Sequence, residues 1–178
     1  MFVDCSFSIT LQYEDFKNKY SPSNAEIIIA SGEPQGRKTI YERVKADGYC
    51  LPNLIDPLAN IKDISVLGEG NIIQDYVHIS PSGVLIGNNN VFMTFCRIAH
   101  DCQVGDHCVF TSSTNASGKV IVEDRVYVGT GDKIRDKIQL RHDSIIGMGS
   151  IVTKTVEEYS VVVGSPAKEI RKNTGKVF

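Results

Sequence analysis

A chain of 178 residues has material for one good core, or for one core with a small appended unit. Its 42% hydrophobic and 22% charged content is ordinary for a globular protein, and a net charge of −2 gives no electrostatic reason to expect nucleic acid or an anionic membrane as partner. No apolar run approaches the ~18 residues needed to cross a bilayer, and "MFVDCSFSITLQYEDF" lacks the basic start of a signal peptide.

The five cysteines are odd in number and show no CxxC spacing, which argues against a disulfide framework or zinc knuckle and for a cytoplasmic location. In chain order, "FVD" at Phe2 to Asp4 reads as the end of a strand and "YEDFKNKY" as a short amphipathic helix. "EIIIAS", Glu26 to Ser31, has the character of a buried parallel strand. After the "GEPQG" turn, the pattern predicts a helix from Arg37 to Ala46, with Ile40 and Val44 on one face and Asp47-Gly48 as its stop. "YCLPNLI" then reads as another short strand, giving residues 1–57 a β-α-β texture.

From Ile61 the texture changes. Steps of six from residue 86 give Ile86, Phe92, Ile98, Val104, Phe110, Ala116, Val122, Val128, Ile134, Leu140, Ile146 and Val152, every one apolar. Chance would produce such a run on the order of a few times in 100,000. An earlier series, Ile61, Leu67, Ile73, Ile79 and Leu85, sits one residue out of phase, so a single insertion near "SPSGV" is predicted. A residue after the anchors is often small (Gly87, Ala99, Gly105), and four after them stand Cys96, Cys102 and Cys108, which read as core packing. Each hexad supplies one short strand and a turn, and three hexads close a triangular coil whose corners suit glycine, asparagine or aspartate. The period predicts a mainly β protein, a parallel β-helix of about five coils.

This repeat, with "VVVGSPAKEIRK" at Val161 to Lys172, resembles the hexapeptide-repeat acyltransferases. The resemblance implies a left-handed β-helix over residues 58–163, with a cap and short C-terminal helix over 164–178. Within that family the chain is most similar to the sialic-acid O-acetyltransferase and nucleotide-amino-sugar N-acetyltransferase type. "IASGEPQGRKTIYERVKADGYCLPNLIDP", Ile29 to Pro57, resembles part of their N-terminal α/β (Rossmann-like) unit, which points to Gly32, Arg37 and Asp56 as substrate-binding residues. Two departures stand out. No Gly-x-Gly-Gly-His-Gly phosphate loop precedes this stretch, and Asp56 occupies the histidine place of the family's "LIHP".

Acetyl transfer needs a base for the acceptor proton, a donor for the developing oxyanion, and a groove that aligns both substrates. Among His78, His100, His107 and His142, the resemblance singles out His100 in "AHD" as base, with Asp101 to orient it. Eighteen residues on, one coil away, stands Gly118, whose N–H the resemblance assigns to the acetyl oxygen. It also implies acetyl-CoA as co-substrate with no metal, cofactor contacts from Gly118, Gly164, Pro166, Lys168 and Arg171, a sugar or nucleotide-sugar acceptor, and a homotrimer. Two other readings of the same helix are weighed. One is a γ-carbonic-anhydrase-like metal hydratase, for which His100 and His107 are awkwardly seven apart; the other is a non-catalytic trimeric scaffold.

Overall fold

The structure, a computed structural model, describes residues 12–61 and 66–175. The strand expected at Phe2 to Asp4 lies outside the described residues. Helix α1 (Tyr13–Lys19) carries Glu14 and Asp15 in its first turn and lysines in its last, the charge order that the helix dipole favours. Helix α2 (Pro34–Ala46) begins three residues ahead of the expected start, because Pro34 suits the first turn and the Glu33 carboxylate accepts from the Gln35 and Gly36 N–H groups. Its inward stripe runs through Arg37, Tyr41 and Val44, while Ile40, expected inside, is exposed. The Glu26 to Ser31 segment contributes one parallel bridge, Glu26 to Cys50, rather than a strand. Ile29, Val44, Tyr49 and Leu51 close a small core beneath the helices.

The rest is a three-faced parallel solenoid of two-residue strands. The first face begins at Leu54–Ile55 and continues through Ile72–Ile73, Val91–Phe92, Val109–Phe110, Tyr127–Val128 and Ile145–Ile146 to Ser160–Val163. The second runs from His78–Ile79 through Arg97–Ile98, Asn115–Ala116 and Lys133–Ile134 to Ile151–Val152, and the third from Val66–Leu67 to Gln139–Leu140. There are about six turns, not five, because the coil starts at Leu54, ahead of the first anchor legible in the sequence. All twelve hexad anchors from Ile86 to Val152 are buried, and Cys96, Cys102 and Cys108 pack beside them as free thiols. Ile79 pairs with Ile98 at a spacing of nineteen and Ile98 with Ala116 at eighteen, which places the inserted residue in the leg between Ile79 and Ile86, where the phase slips.

The corners correct one expectation. Asp101, His107, Ser113, Lys119, Arg125, Lys137 and Asp143 all have φ between 57° and 63°, so residues of every kind take the left-handed turn. Each such turn costs about 1–2 kcal/mol locally, which the interstrand ladder offsets, as in the Asp101 N–H to Ser82 carbonyl bond (2.8 Å) and its successor from Lys119 to His100 (2.9 Å). The C-terminal helix is also corrected. Lys168–Lys172 is a strand that pairs antiparallel with Ser160–Val163, because the edge of the first face needs partners for its N–H and C=O groups.

Candidate active site

His100 lies at the corner between the second and third faces, two residues past its buried anchor Ile98. That position faces solvent in the repeat, and the His100 and Asp101 side chains are 56% and 46% exposed. Asp101, turned by its φ of 58°, brings Oδ2 within 2.9 Å of His100 Nδ1. A carboxylate on Nδ1 holds the proton there and leaves Nε2 with a free lone pair.

Beneath that nitrogen is Gly118. A β-carbon at residue 118 would fall 2.5 Å from His100 Nε2 and 2.6 Å from Cε1, so any side chain would collide with the ring. The Gly118 N–H donates to no acceptor among the described residues. A basic nitrogen and an unspent backbone donor therefore share one corner, with Gly118 itself buried beneath the ring. On the other side of the pair, Gly83 (φ 66°) lies against Asp101, and a β-carbon there would overlap Asp101 Oδ1.

The other histidines are differently employed. His107 is buried on another corner, with Nδ1 2.9 Å from the Asn89 amide, its ring edge-on to Tyr41, and its pKa lowered by burial. It cannot join His100 around a metal, and the hydratase reading loses its pair. His142 repeats the histidine–aspartate sequence, yet both its nitrogens are taken: Nδ1 by Asp143 (3.0 Å) and Nε2 by Glu158 (3.1 Å). The hydrogen bond to Asp143 holds the His142 pKa up, while Arg125 grips the same carboxylate at 2.8 and 2.7 Å. That cluster is an ion-pair staple.

The remaining candidates scatter. Arg37 is fully buried and donates to the carbonyls of Ile29 (2.6 Å), Ser31 (2.9 Å) and Asn89 (2.9 Å) and to Asn89 Oδ1 (2.6 Å). Burial pulls its pKa down to about 10. Its guanidinium is spent locking α2 to the solenoid, so the expected substrate contact is not open to it. Gly32 is exposed in the loop before α2, with open space around it. Asp56 caps the first solenoid corner by accepting from the Leu58 N–H at 2.8 Å, away from His100. Gly164, Pro166, Lys168 and Arg171 are exposed in the C-terminal cap. Gly164 O accepts from Ile151 N (3.0 Å), so the cap adjoins the last strand of the second face. That strand is three rungs, or ~14 Å, from Arg97–Ile98 at the His100 corner. The reading from sequence missed Gly83 and the Arg125–Asp143–His142 cluster, although subtracting eighteen from 101 and from 143 gives Gly83 and Arg125 directly.

A three-faced hexad solenoid with a corner histidine over a bare glycine defines the hexapeptide-repeat β-helix class. No protein-family model matches the chain. It is 31% identical over 151 residues to GDP-perosamine N-acetyltransferase of Escherichia coli O157:H7, covering 82% of this chain and 67% of that one. PerB from Caulobacter crescentus, solved in complex with CoA and GDP-perosamine, superimposes with a TM-score of 0.79 at 25% identity, over 83% of this chain and 70% of that one. The acetyltransferase domain of PglB from Neisseria gonorrhoeae superimposes with a TM-score of 0.89 at 23% identity, over 93% and 80%. UDP-N-acetylglucosamine O-acyltransferases, including that of Helicobacter pylori, also match at 30% identity, and the chain spans 40% of its length. The chain belongs to the left-handed β-helix hexapeptide-repeat acyltransferase family that includes GDP-perosamine N-acetyltransferase.

Proposed function

We propose that the protein transfers an acetyl group from acetyl-CoA to the amine of a nucleotide-linked amino sugar in the cytoplasm. The observation that carries this reading is the free Nε2 of His100 beside the unspent N–H of Gly118. His100 Nε2 takes the proton from the attacking amine as the new C–N bond forms. Gly118 N–H donates to the acetyl oxygen as charge collects on it, and Asp101 stabilises the imidazolium. The C–S bond then breaks, and the imidazolium returns its proton to the departing thiolate, leaving an amide and free CoA thiol.

The chain offers a fitting bed for the co-substrate. A bare glycine admits a thioester close to the backbone. Exposed Lys168 and Arg171, on the strand added to the first face, supply cations for phosphate groups, with Gly164, which adjoins the second face, and Pro166 shaping the turn beside them. A flat face makes a poor pocket, and His100 is half exposed, so a second copy of the chain completes the groove and a homotrimer carries three such sites. The name of the E. coli relative supports a GDP-linked amino sugar as acceptor class.

The test is acetyl-CoA-dependent thiol release with GDP-, UDP- and dTDP-linked amino sugars and their hydroxyl counterparts. Release with an amino sugar and an N-acetyl product is expected. Acetylation of the hydroxyl sugars alone moves the reading to O-transfer, and no release with any acceptor favours the scaffold.

A further inference from the structure

The eighteen-residue register gains a residue at the corner one coil before His100. The strand spacing is nineteen from Ile79 to Ile98 but eighteen from Ile98 to Ala116, so the leg through Ser80, Pro81, Ser82 and Gly83 carries one residue more than the regular hexad leg. The Asp101 N–H bonds to the Ser82 carbonyl at 2.8 Å, and Gly83 follows it with a φ of 66°. Asp101 Cγ and Cα would lie 3.4 and 3.5 Å from a β-carbon at residue 83, and Oδ1 closer still, while its Oδ2 sits 2.9 Å from His100 Nδ1. The dyad is thus wedged between two glycines: Gly83 leaves room for the carboxylate and Gly118 for the ring.

We propose that Gly83 is a positioning residue that holds Asp101 on the Nδ1 side of His100. A side chain at residue 83 would push the Asp101 carboxylate out of the corner. Asp101 has nowhere else to go along its own coil, since its backbone is pinned to Ser82 on one side and, through the His100 carbonyl, to Lys119 on the other. The ring would then lose the partner that fixes its tautomer, and Nε2 would cease to be a dedicated acceptor. The consequence for turnover rests on the reading of His100 as base; the contact does not.

The experiment pairs Gly83→Ala with Asp101→Ala, singly and together. Gly83→Ala should lower kcat about 10²-fold, as misplacing a catalytic group by an ångström does, with the KM for acetyl-CoA within about twofold. Placing Gly83→Ala in the Asp101→Ala background should change kcat by less than about twofold, because the clashing carboxylate is gone. A full multiplicative loss there would show that Gly83 acts through the backbone alone and overturn the proposal. Nitrogen NMR of the neutral His100 ring reads the contact without reference to activity. Gly83→Ala and Asp101→Ala should both weaken the Nδ1–H tautomer, and an unchanged ring in folded Gly83→Ala sinks the idea. A changed ring together with full turnover in His100→Ala would instead overturn the base assignment and leave the contact standing. If Gly83→Ala does not fold, the double variant should; failure of both shows a purely conformational requirement and overturns the positioning role.

Discussion

Two histidine–aspartate pairs occupy the same hexad position, forty-two residues apart, and their surroundings give them opposite fates. His142 is surrounded by Asp143, Glu158 and Arg125, whereas His100 keeps one nitrogen free over a glycine. Another residue in the repeat is strained by its setting. Asp132 is fully buried at a position that Asn90 takes elsewhere; its Oδ1 accepts from the Ser150 N–H at 2.7 Å, but Oδ2 has no partner. Desolvation lifts its pKa to about 7. The folded carboxyl thus keeps a proton that the unfolded chain sheds near pH ~4, so this residue makes stability fall as pH rises from ~4 to ~7, with no further loss above. Asn90 shows the remedy, since its amide accepts from Cys108 N (2.7 Å) and donates to Gly105 O (3.0 Å). Asp132→Asn should add about 1–3 kcal/mol at pH 7 and flatten the stability profile between pH ~4 and ~7. Thermal melts across that range check it, and an unaltered slope would contradict it. His142 has linkage of the same sign in a higher window: its raised pKa lends stability that is fully present below pH ~6.5 and lost above it, so His142→Gln should flatten only the alkaline side.

At the scale of elements, the N-terminal helices are bound to the solenoid through polar contacts as much as through apolar ones. Arg37 binds Asn89, Asn89 binds His107, and Tyr41 binds Glu69 at 2.6 Å. Arg37→Met keeps the apolar bulk but strands the carbonyls of Ile29, Ser31 and Asn89, and should cost roughly 3 kcal/mol in urea unfolding. A loss under ~1 kcal/mol would show that apolar contacts alone hold the unit. This arginine also shows where sequence reading fails: in a helix after a glycine turn, a cation fits phosphate binding and burial equally well. The last element failed for another reason. "KEIRK" suits a helix by propensity, yet an open sheet edge turned it into a strand, and that edge is a tertiary fact. The hexad anchors were legible because burial repeats every six residues, and the early start at Leu54 was hidden because its outward residues, Leu54 and Val66, are themselves apolar.

At the scale of the molecule, the solenoid converts sequence spacing into spatial order. Residues eighteen apart stack, so the neighbourhood of His100 and Gly118 could be read before any coordinates, whereas the tilt of the ring over the glycine could not. The same rule exposes Gly83 once the inserted residue is located. What periodicity could not distinguish was His100 from His142, because the answer depends on Glu158, which lies past the last hexad anchor, Val152.

That distinction gives the most direct test of the catalytic centre. Acetyl transfer should be measured at saturating acetyl-CoA for His100→Ala and His142→Ala, with oligomeric state checked for each. His100→Ala should lower kcat by roughly 10²- to 10⁴-fold without altering assembly, and His142→Ala should leave kcat within about twofold. Full turnover in His100→Ala, or a comparable collapse in a properly assembled His142→Ala, would contradict the assignment.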